Sequence, residues 1–588
     1  MISYLPITLF LAVGWFLSEP VSLLAICVLT FWVLTGIVIK ANISWLIGVG
    51  QFFLLALVGL YFVSTFRNSN NLAFALTGNY QRNFGVWYFA VMSLLFIWAL
   101  NSGKNVFKSE RMLLVLLSLA LTYGTSQVIG IDPIQWVNPY EAVQLTQGNP
   151  NFAGALLGML IVVPFAKLIQ ARKFWKRFMY GFLVLFTLFM CFQTQSLQSI
   201  IVALFGSLIY LYIFSLNSEK NIFKAFNVYL KMIFASTSLI VISIVLFKFR
   251  FLDGLREVFY FQGSIPQRLD YWRTGIEMFF DNWILGVGPD QFQRYAALYR
   301  NSEQVLRDGD FVIPDRAHNV LIDHLANGGI GAGILWLVFC IYIFYRLYLS
   351  SKNELSQKNR NLIGMFGGIW TGYFIQSLLS PDQILLSVIG FMSAGYVVQL
   401  SRISVPAKDN NQSQFSAVND PIYIRTIFGS ILVFAIFFWS QILSSDISGK
   451  RILDNETLNP DVIEKEINNW TSPELIEKIT FAVSQVDTQC GYVPSLADRL
   501  IQADDRSASG WYFKAVCSNL NKEFDLALEY VGKSLSLDPI NPVFLVAQGK
   551  LAIAAGNKSV GIQALEILKK QYPENPEIPL LESSLSVL

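Results

Sequence analysis

Runs of about 20 apolar residues, close to what a helix needs to cross a bilayer core, recur along this chain from residue 3 to residue 443. They fall at roughly 3–18, 21–39, 43–65, 84–101, 112–130, 153–169, 178–193, 198–216, 232–247, 330–349, 361–379, 384–400 and 426–443. Lipid offers backbone N–H and C=O groups no partner, so such a chain must satisfy them within helices or a closed barrel. The alternating ten-residue pattern of a barrel strand is absent. The expected fold is all-α: a polytopic α-helical membrane protein of about thirteen transmembrane helices. The first run, MISYLPITLFLAVGWF, lacks a basic leader and a small-residue cleavage site. It reads as a retained helix, short enough to be re-entrant.

The basic residues set the direction. One set of alternate loops holds Lys40, then Lys104, Lys108 and Arg111, then Arg172, Lys173, Lys176 and Arg177. The same side continues through Lys220, Lys224 and Lys231 to Arg346, Lys352, Lys358 and Arg360, and ends with Arg402, Lys408 and Arg425. The opposite short loops hold only Arg67 and Arg82. Since basic loops stay in the cytoplasm, the loops 131–152 and 248–329 and everything after residue 443 are expected outside. The expected location is a bacterial cytoplasmic membrane.

Composition divides the chain at about the same point. Only 14% of its residues are charged, against roughly a quarter in soluble proteins. Residues 1–443, the expected membrane domain, carry 30 basic and 20 acidic residues, whereas 444–588 carry 13 and 20. An acidic tail argues against nucleic acid and anionic lipid heads as its partners. Within it, Trp511, Ala515, Ala527 and Pro539 sit at tetratricopeptide-like spacing, and Asn541-Pro542 is echoed by Asn575-Pro576. A helical repeat domain, or a plainer stack of helical hairpins, is expected there, suited to docking a protein partner. Five scattered cysteines make no disulfide framework, and whether Cys490 pairs with Cys517 is left open.

The loop 248–329 is far longer than a connection needs and holds both histidines, His318 and His324. Their spacing of six, without a nearby cysteine, argues against a metal site, and no cofactor is expected. Three segments stand out. QRLDYWRTGIEMFFDNWILGVGPDQF begins as a helix with Arg268 and Trp272 on one face, then turns at Gly286 and Gly288. PDRAHNVLIDHLANGG brings Arg316, His318 and Asn319 to the start of a membrane helix, and QGNPNFAGALLG brings Asn149 and Asn151 to another.

These segments resemble the O-antigen ligase and polymerase superfamily over roughly residues 130–400. Arg268 with Trp272 is similar to that family's Arg-x3-Trp helix, Gly286, Gly288 and Phe292 to its glycine element, and Ala317-His318-Asn319 to its histidine element. Gly148-Asn149-Pro150-Asn151-Phe152 matches a further one. The family's Ser-Arg-Gly, whose arginine is assigned to the donor diphosphate, is replaced here by Gln195-Ser196-Leu197-Gln198-Ser199. The resemblance implies inverting, metal-independent transfer of a glycan from an undecaprenyl-diphosphate carrier to a hydroxyl acceptor, which is a glycan, a lipid or a protein.

In that reading Arg268 grips the diphosphate, because a guanidinium pairs bidentately with such anions. His318 removes the acceptor proton, its pKa lying near working pH. Arg316, Arg273, Asn319, Gln198, Trp272, Asn149 and Asn151 are the expected substrate-binding residues, and Asp315 or Asn319 the group that orients the imidazole. Plainer roles compete: an outer-loop arginine is commonly solvated or paired with an acid, Asn-Pro is a common turn before a helix, and Trp272 is equally a packing aromatic. Two other functions compete with this one. A transporter calls for ionisable residues deep in the spans, of which the sequence has almost none. A non-catalytic anchor for the tail leaves the long outer loop unexplained.

Overall fold

The computed structural model describes residues 2–14, 17, 21–40, 48–68, 72–80, 82–103, 105–134, 136, 138, 141–215, 264–352, 355–403, 421–454 and 460–588. Every regular element among them is a helix. In chain order these are α1 Leu5–Leu11, α2 Ser22–Lys40, α3 Val49–Asn68, α4 Leu72–Thr77, α5 Val86–Leu100, α6 Asn105–Val128, α7 Pro150–Leu160, α8 Val162–Gln170, α9 Phe174–Gln193 and α10 Leu197–Ser215. There follow α11 Ser264–Asp281, α12 Phe292–Ala296, α13 Ser302–Asp308, α14 Val320–Lys352, α15 Gln357–Leu379, α16 Ile384–Ile403 and α17 Pro421–Asp454. The remainder comprises α18 Pro460–Glu466, α19 Pro473–Ser484, α20 Val493–Ala503, α21 Ala508–Leu520, α22 Phe524–Leu537, α23 Pro542–Ala554, α24 Lys558–Gln571 and α25 Ile578–Val587.

Among the described residues, eight helices are long and apolar enough to cross a membrane: α2, α7 with α8, α9, α10, and α14 to α17. Three further expected spans coincide with α3, α5 and α6; the first, 3–18, is α-helical only over Leu5–Leu11 among the described residues, too short to cross, and the one at 232–247 lies outside the described residues. The protein is a multi-pass α-helical membrane protein. The expected span at 153–169 is broken at Ile161, since Pro164 has no N–H to give the Leu160 carbonyl. Helix α14 begins ten residues before the expected span, so His324 belongs to the helix rather than to the loop.

Small residues bring the spans together, as lipid-embedded packing requires. A Cβ on Gly206 of α10 would stand 2.9 Å from the Gly368 carbonyl oxygen of α15. One apolar core runs through these helices, with Trp370, Tyr373, Tyr210, Phe96 and Phe339 fully buried in it.

After α17 the helices form successive hairpins, α21 against α22 and α23 against α24. Ala515, Ala527 and Ala564 are buried at their contacts, where only a small side chain allows the approach. Cys490 and Cys517 are joined by a disulfide. These hairpins rest on the segment between α11 and α14. Arg294 pairs with Asp504 at 2.6 Å and Asp505 at 2.7 Å, Arg300 pairs with Asp538 at 2.5 Å, and Val305 sits in the apolar cluster of Leu545, Leu568 and Leu581.

Candidate active site

The site is assembled where the loop folds back on α14. Gly286, at φ 65°, lies against the backbone of Asn327 and Gly328, where no Cβ fits. The Val287 N–H donates to the Ala326 carbonyl at 3.0 Å and the Gly288 N–H to the Asn327 carbonyl at 2.9 Å. Gly329, at φ 68°, interrupts α14, and the next N–H, Ile330, donates to the Trp283 carbonyl at 2.8 Å. The glycine-rich element thus fastens loop to helix through backbone, a use that needs glycine on both sides.

The segment leading into α14 is held from three directions. Arg300 donates to the carbonyls of Asp310 and Val312, each at 3.1 Å. The Ala317 N–H donates to Asp323 Oδ1 at 2.8 Å. Asn319 caps the helix, its Oδ1 accepting from Leu321 at 3.0 Å and Ile322 at 3.2 Å, while its Nδ2 donates to the Leu378 carbonyl at 3.1 Å. Between these anchors His318 takes φ 56°, a left-handed conformation that costs a residue with a Cβ about 1–3 kcal/mol and gathers at functional sites.

His318 keeps 26% of its side chain exposed, enough to meet a substrate. Its Nε2 lies 3.7 Å from Asp315 Oδ1, within ion-pair range and beyond hydrogen-bond range. The Tyr271 ring of α11 meets the imidazole edge-on at 5.0 Å. Burial lowers the His318 pKa, Asp315 draws it back up, and Arg82 and Arg268 push it down again. Arg268 and His318, expected to act together, therefore sit within electrostatic reach of each other. Arg268 is partly buried, with no carboxylate paired to it among the described residues, and its pKa is lowered by burial.

The Asp315 carboxylate is shared between His318 and Arg82, whose Nε approaches it at 2.5 Å. Burial alone would raise the Asp315 pKa, but Arg82 and His318 outweigh it and hold it well below the usual carboxylate range. Arg82 also lies over the Phe152 ring at 5.3 Å and lines an open cavity of about 220 Å³ with Gln147, Gly148, Asn149, Phe152 and Gln383. Arg82 was missed as a site residue. Its signal was its isolation as one of two cations on the outer short loops, and what hid its role was a partner 233 positions away.

The other expected residues divide. Asn149 lines the cavity and caps α7, accepting from the Asn151 N–H at 2.8 Å, while Asn151 Oδ1 accepts from Ser196 Oγ at 2.8 Å. Gln198 is buried at the start of α10, where its Oε1 accepts from Ser380 and its Nε2 finds no partner among the described residues. Trp272 Nε1 and two nitrogens of Arg273 are likewise buried without partners there. Arg316, expected on the substrate, is 4% exposed, paired to Asp290 and stacked on Phe84 at 4.7 Å. Asp290 matches its charge inside the protein, while its Nε is buried without a partner among the described residues. Asn319 likewise serves as a helix cap, with both ends of its amide engaged. His324 is buried, its Nδ1 2.5 Å from the Tyr61 hydroxyl.

Residues 182–337 match a family model described as O-antigen ligase. The matched stretch includes α11, the glycine element and His318. No curated protein matches the chain. Over that stretch the chain is similar to membrane glycan ligases and polymerases.

Proposed function

We propose, from the premise that residues 182–337 form an O-antigen ligase domain, that this protein transfers a glycan from undecaprenyl diphosphate to a hydroxyl acceptor at the outer face of the bacterial cytoplasmic membrane. The single observation that carries this reading is the grouping of Arg268, Asp315 and Arg82 around a partly exposed His318. The acceptor oxygen attacks the anomeric carbon, the bond from that carbon to the phosphate oxygen breaks, and the lipid diphosphate leaves. Arg268 and Arg82 stabilise the charge that gathers on the diphosphate, needing no metal for it. His318 takes the acceptor proton, and Asp315 orients the ring with Nε2–H towards it, leaving Nδ1 as the base.

The charge asymmetry of the loops supports an outward-facing site and an outward tail, with residues 1–443 and 444–588 as separate domains. The Cys490–Cys517 disulfide supports the same side, since such bonds persist in oxidising compartments. The tail, read as a tetratricopeptide-like domain, rests on the loop that carries the site and suits a bulky acceptor or a protein partner. The test is the lipid-linked and surface glycan of a deletion strain complemented with His318→Ala or Arg268→Ala. Normal surface glycan with either variant, at normal protein level, would sink the reading. Single units accumulating on lipid identify a polymerase, and full chains left on lipid identify a ligase or protein transferase.

A further inference from the structure

A second cavity, of about 510 Å³, opens on the outer loop between α6 and α7, a volume that suits an organic ligand. Its wall includes Gln127, Asp132, Trp136, Glu141, Gln144 and Gln193, and no lysine or arginine among the described residues. Two carboxylates without a cation repel a diphosphate. Amides and carboxylates beside an indole instead offer acceptors, donors and an apolar face, which is what a neutral, hydroxyl-rich ring presents in return.

The wall is built in advance. Trp136 Nε1 donates to the Tyr123 hydroxyl at 2.9 Å, Tyr123 donates to Asp132 Oδ1 at 2.8 Å, and Gln127 Nε2 donates to Asp132 Oδ2 at 2.8 Å. Gln127 Oε1 accepts from the Leu145 N–H at 2.9 Å. With its one polar hydrogen engaged, the indole is fixed in place. Gln144 is only 1% exposed, and its Nε2 has no partner among the described residues. Buried amide hydrogens are rarely left so, and a small rotation of the side chain would turn them to a hydroxyl in the cavity that Gln144 lines.

The two cavities are neighbours. Gln144 lines the second and Gln147 the first, and the Gln147 N–H donates to the Gln144 carbonyl at 3.1 Å, closing one turn between them. We infer that the second cavity is a subsite for uncharged sugar residues of the glycan, set beside the cavity lined by Arg82 and Asp382. The transferase reading supplies the adjacency in this inference. The wall chemistry stands without it.

The probe is the glycan released by mild acid from the lipid-linked pool of cells that make the protein, so that it carries no phosphate. Full-length protein in nanodiscs is titrated with it, and transfer from the intact lipid-linked donor is measured on the same preparation. Saturable binding is expected, weakened at least tenfold by Trp136→Ala and by Gln144→Leu and unaffected by inorganic pyrophosphate. Should Trp136→Ala unfold in a thermal scan, Gln144→Leu and Trp136→Phe decide, the first losing binding and the second keeping most of it. No binding by the wild type, wild-type affinity in the Gln144 variant, or competition by pyrophosphate overturns the subsite. Transfer without binding refutes the subsite alone, and loss of both refutes the transferase reading as well.

Discussion

Arg300, in the segment before α14, and Asp538 of the acidic tail meet at 2.5 Å with 0% and 3% of their side chains exposed. Arg300 also holds the carbonyls of Asp310 and Val312, just before Asp315 and His318. Breaking a buried pair by removing one partner costs about 3–5 kcal/mol. Asp538→Ala is therefore expected to lower the unfolding midpoint and speed proteolysis at the junction of loop and tail. Asp538→Glu is expected to recover part of the loss.

His318→Ala is expected to reduce kcat/KM by about 10²–10⁴-fold, the usual contribution of a general base. Purified protein with a lipid-linked donor gives the measurement. Activity indistinguishable from wild type would remove His318 from the chemistry.

The acid limb of the pH profile reports the same imidazole. Asp315 raises the His318 pKa and Arg268 lowers it. Because the base must be neutral, activity is lost as pH falls through that pKa. Asp315→Asn is expected to move the limb to lower pH, and Arg268→Gln, in its residual activity, to higher pH. Shifts of the same sign would contradict this arrangement.

Glu474, in the tail, accepts from the Tyr80 N–H at 3.4 Å and buries its other oxygen without a partner among the described residues. Burial pushes its pKa up to about 7, against about 4.3 in the unfolded chain. Between these values the folded state binds the extra proton, so stability falls as pH rises, by up to about 1.4 kcal/mol per pH unit. Glu474→Gln is expected to stabilise most above pH 7 and to have no effect below pH 4, as read from unfolding midpoints across pH.

Gly286→Ala forces a Cβ into the Asn327–Gly328 backbone at a left-handed position. Loss of folded protein is expected on size exclusion in detergent, whereas Gly532→Ala, with open space around it, is expected to behave as wild type.

The apolar runs already placed most of the helices, because in lipid a span and its hydrogen bonds are settled locally. The histidine and glycine elements were legible as well, though the glycines serve backbone docking rather than ligand contact. Pairings across long separations were not legible: Arg82 with Asp315, Arg294 with Asp504 at 210 positions, and Arg300 with Asp538 at 238. The charge of Arg316 reads the same in sequence whether it faces a phosphate or Asp290. Only burial separates the two. The tail's cysteines are a similar case, 27 positions apart with no motif to announce their bond.

Asp315 is held so far into its ionised form by Arg82 and the neighbouring imidazole that it has no capacity to store a proton that His318 collects. On the transferase reading, the imidazole hands each proton to water through the part of the ring that stays exposed. Turnover then depends on solvent reaching that edge, and a long acceptor lying across it would slow the enzyme by keeping its own product's proton from leaving.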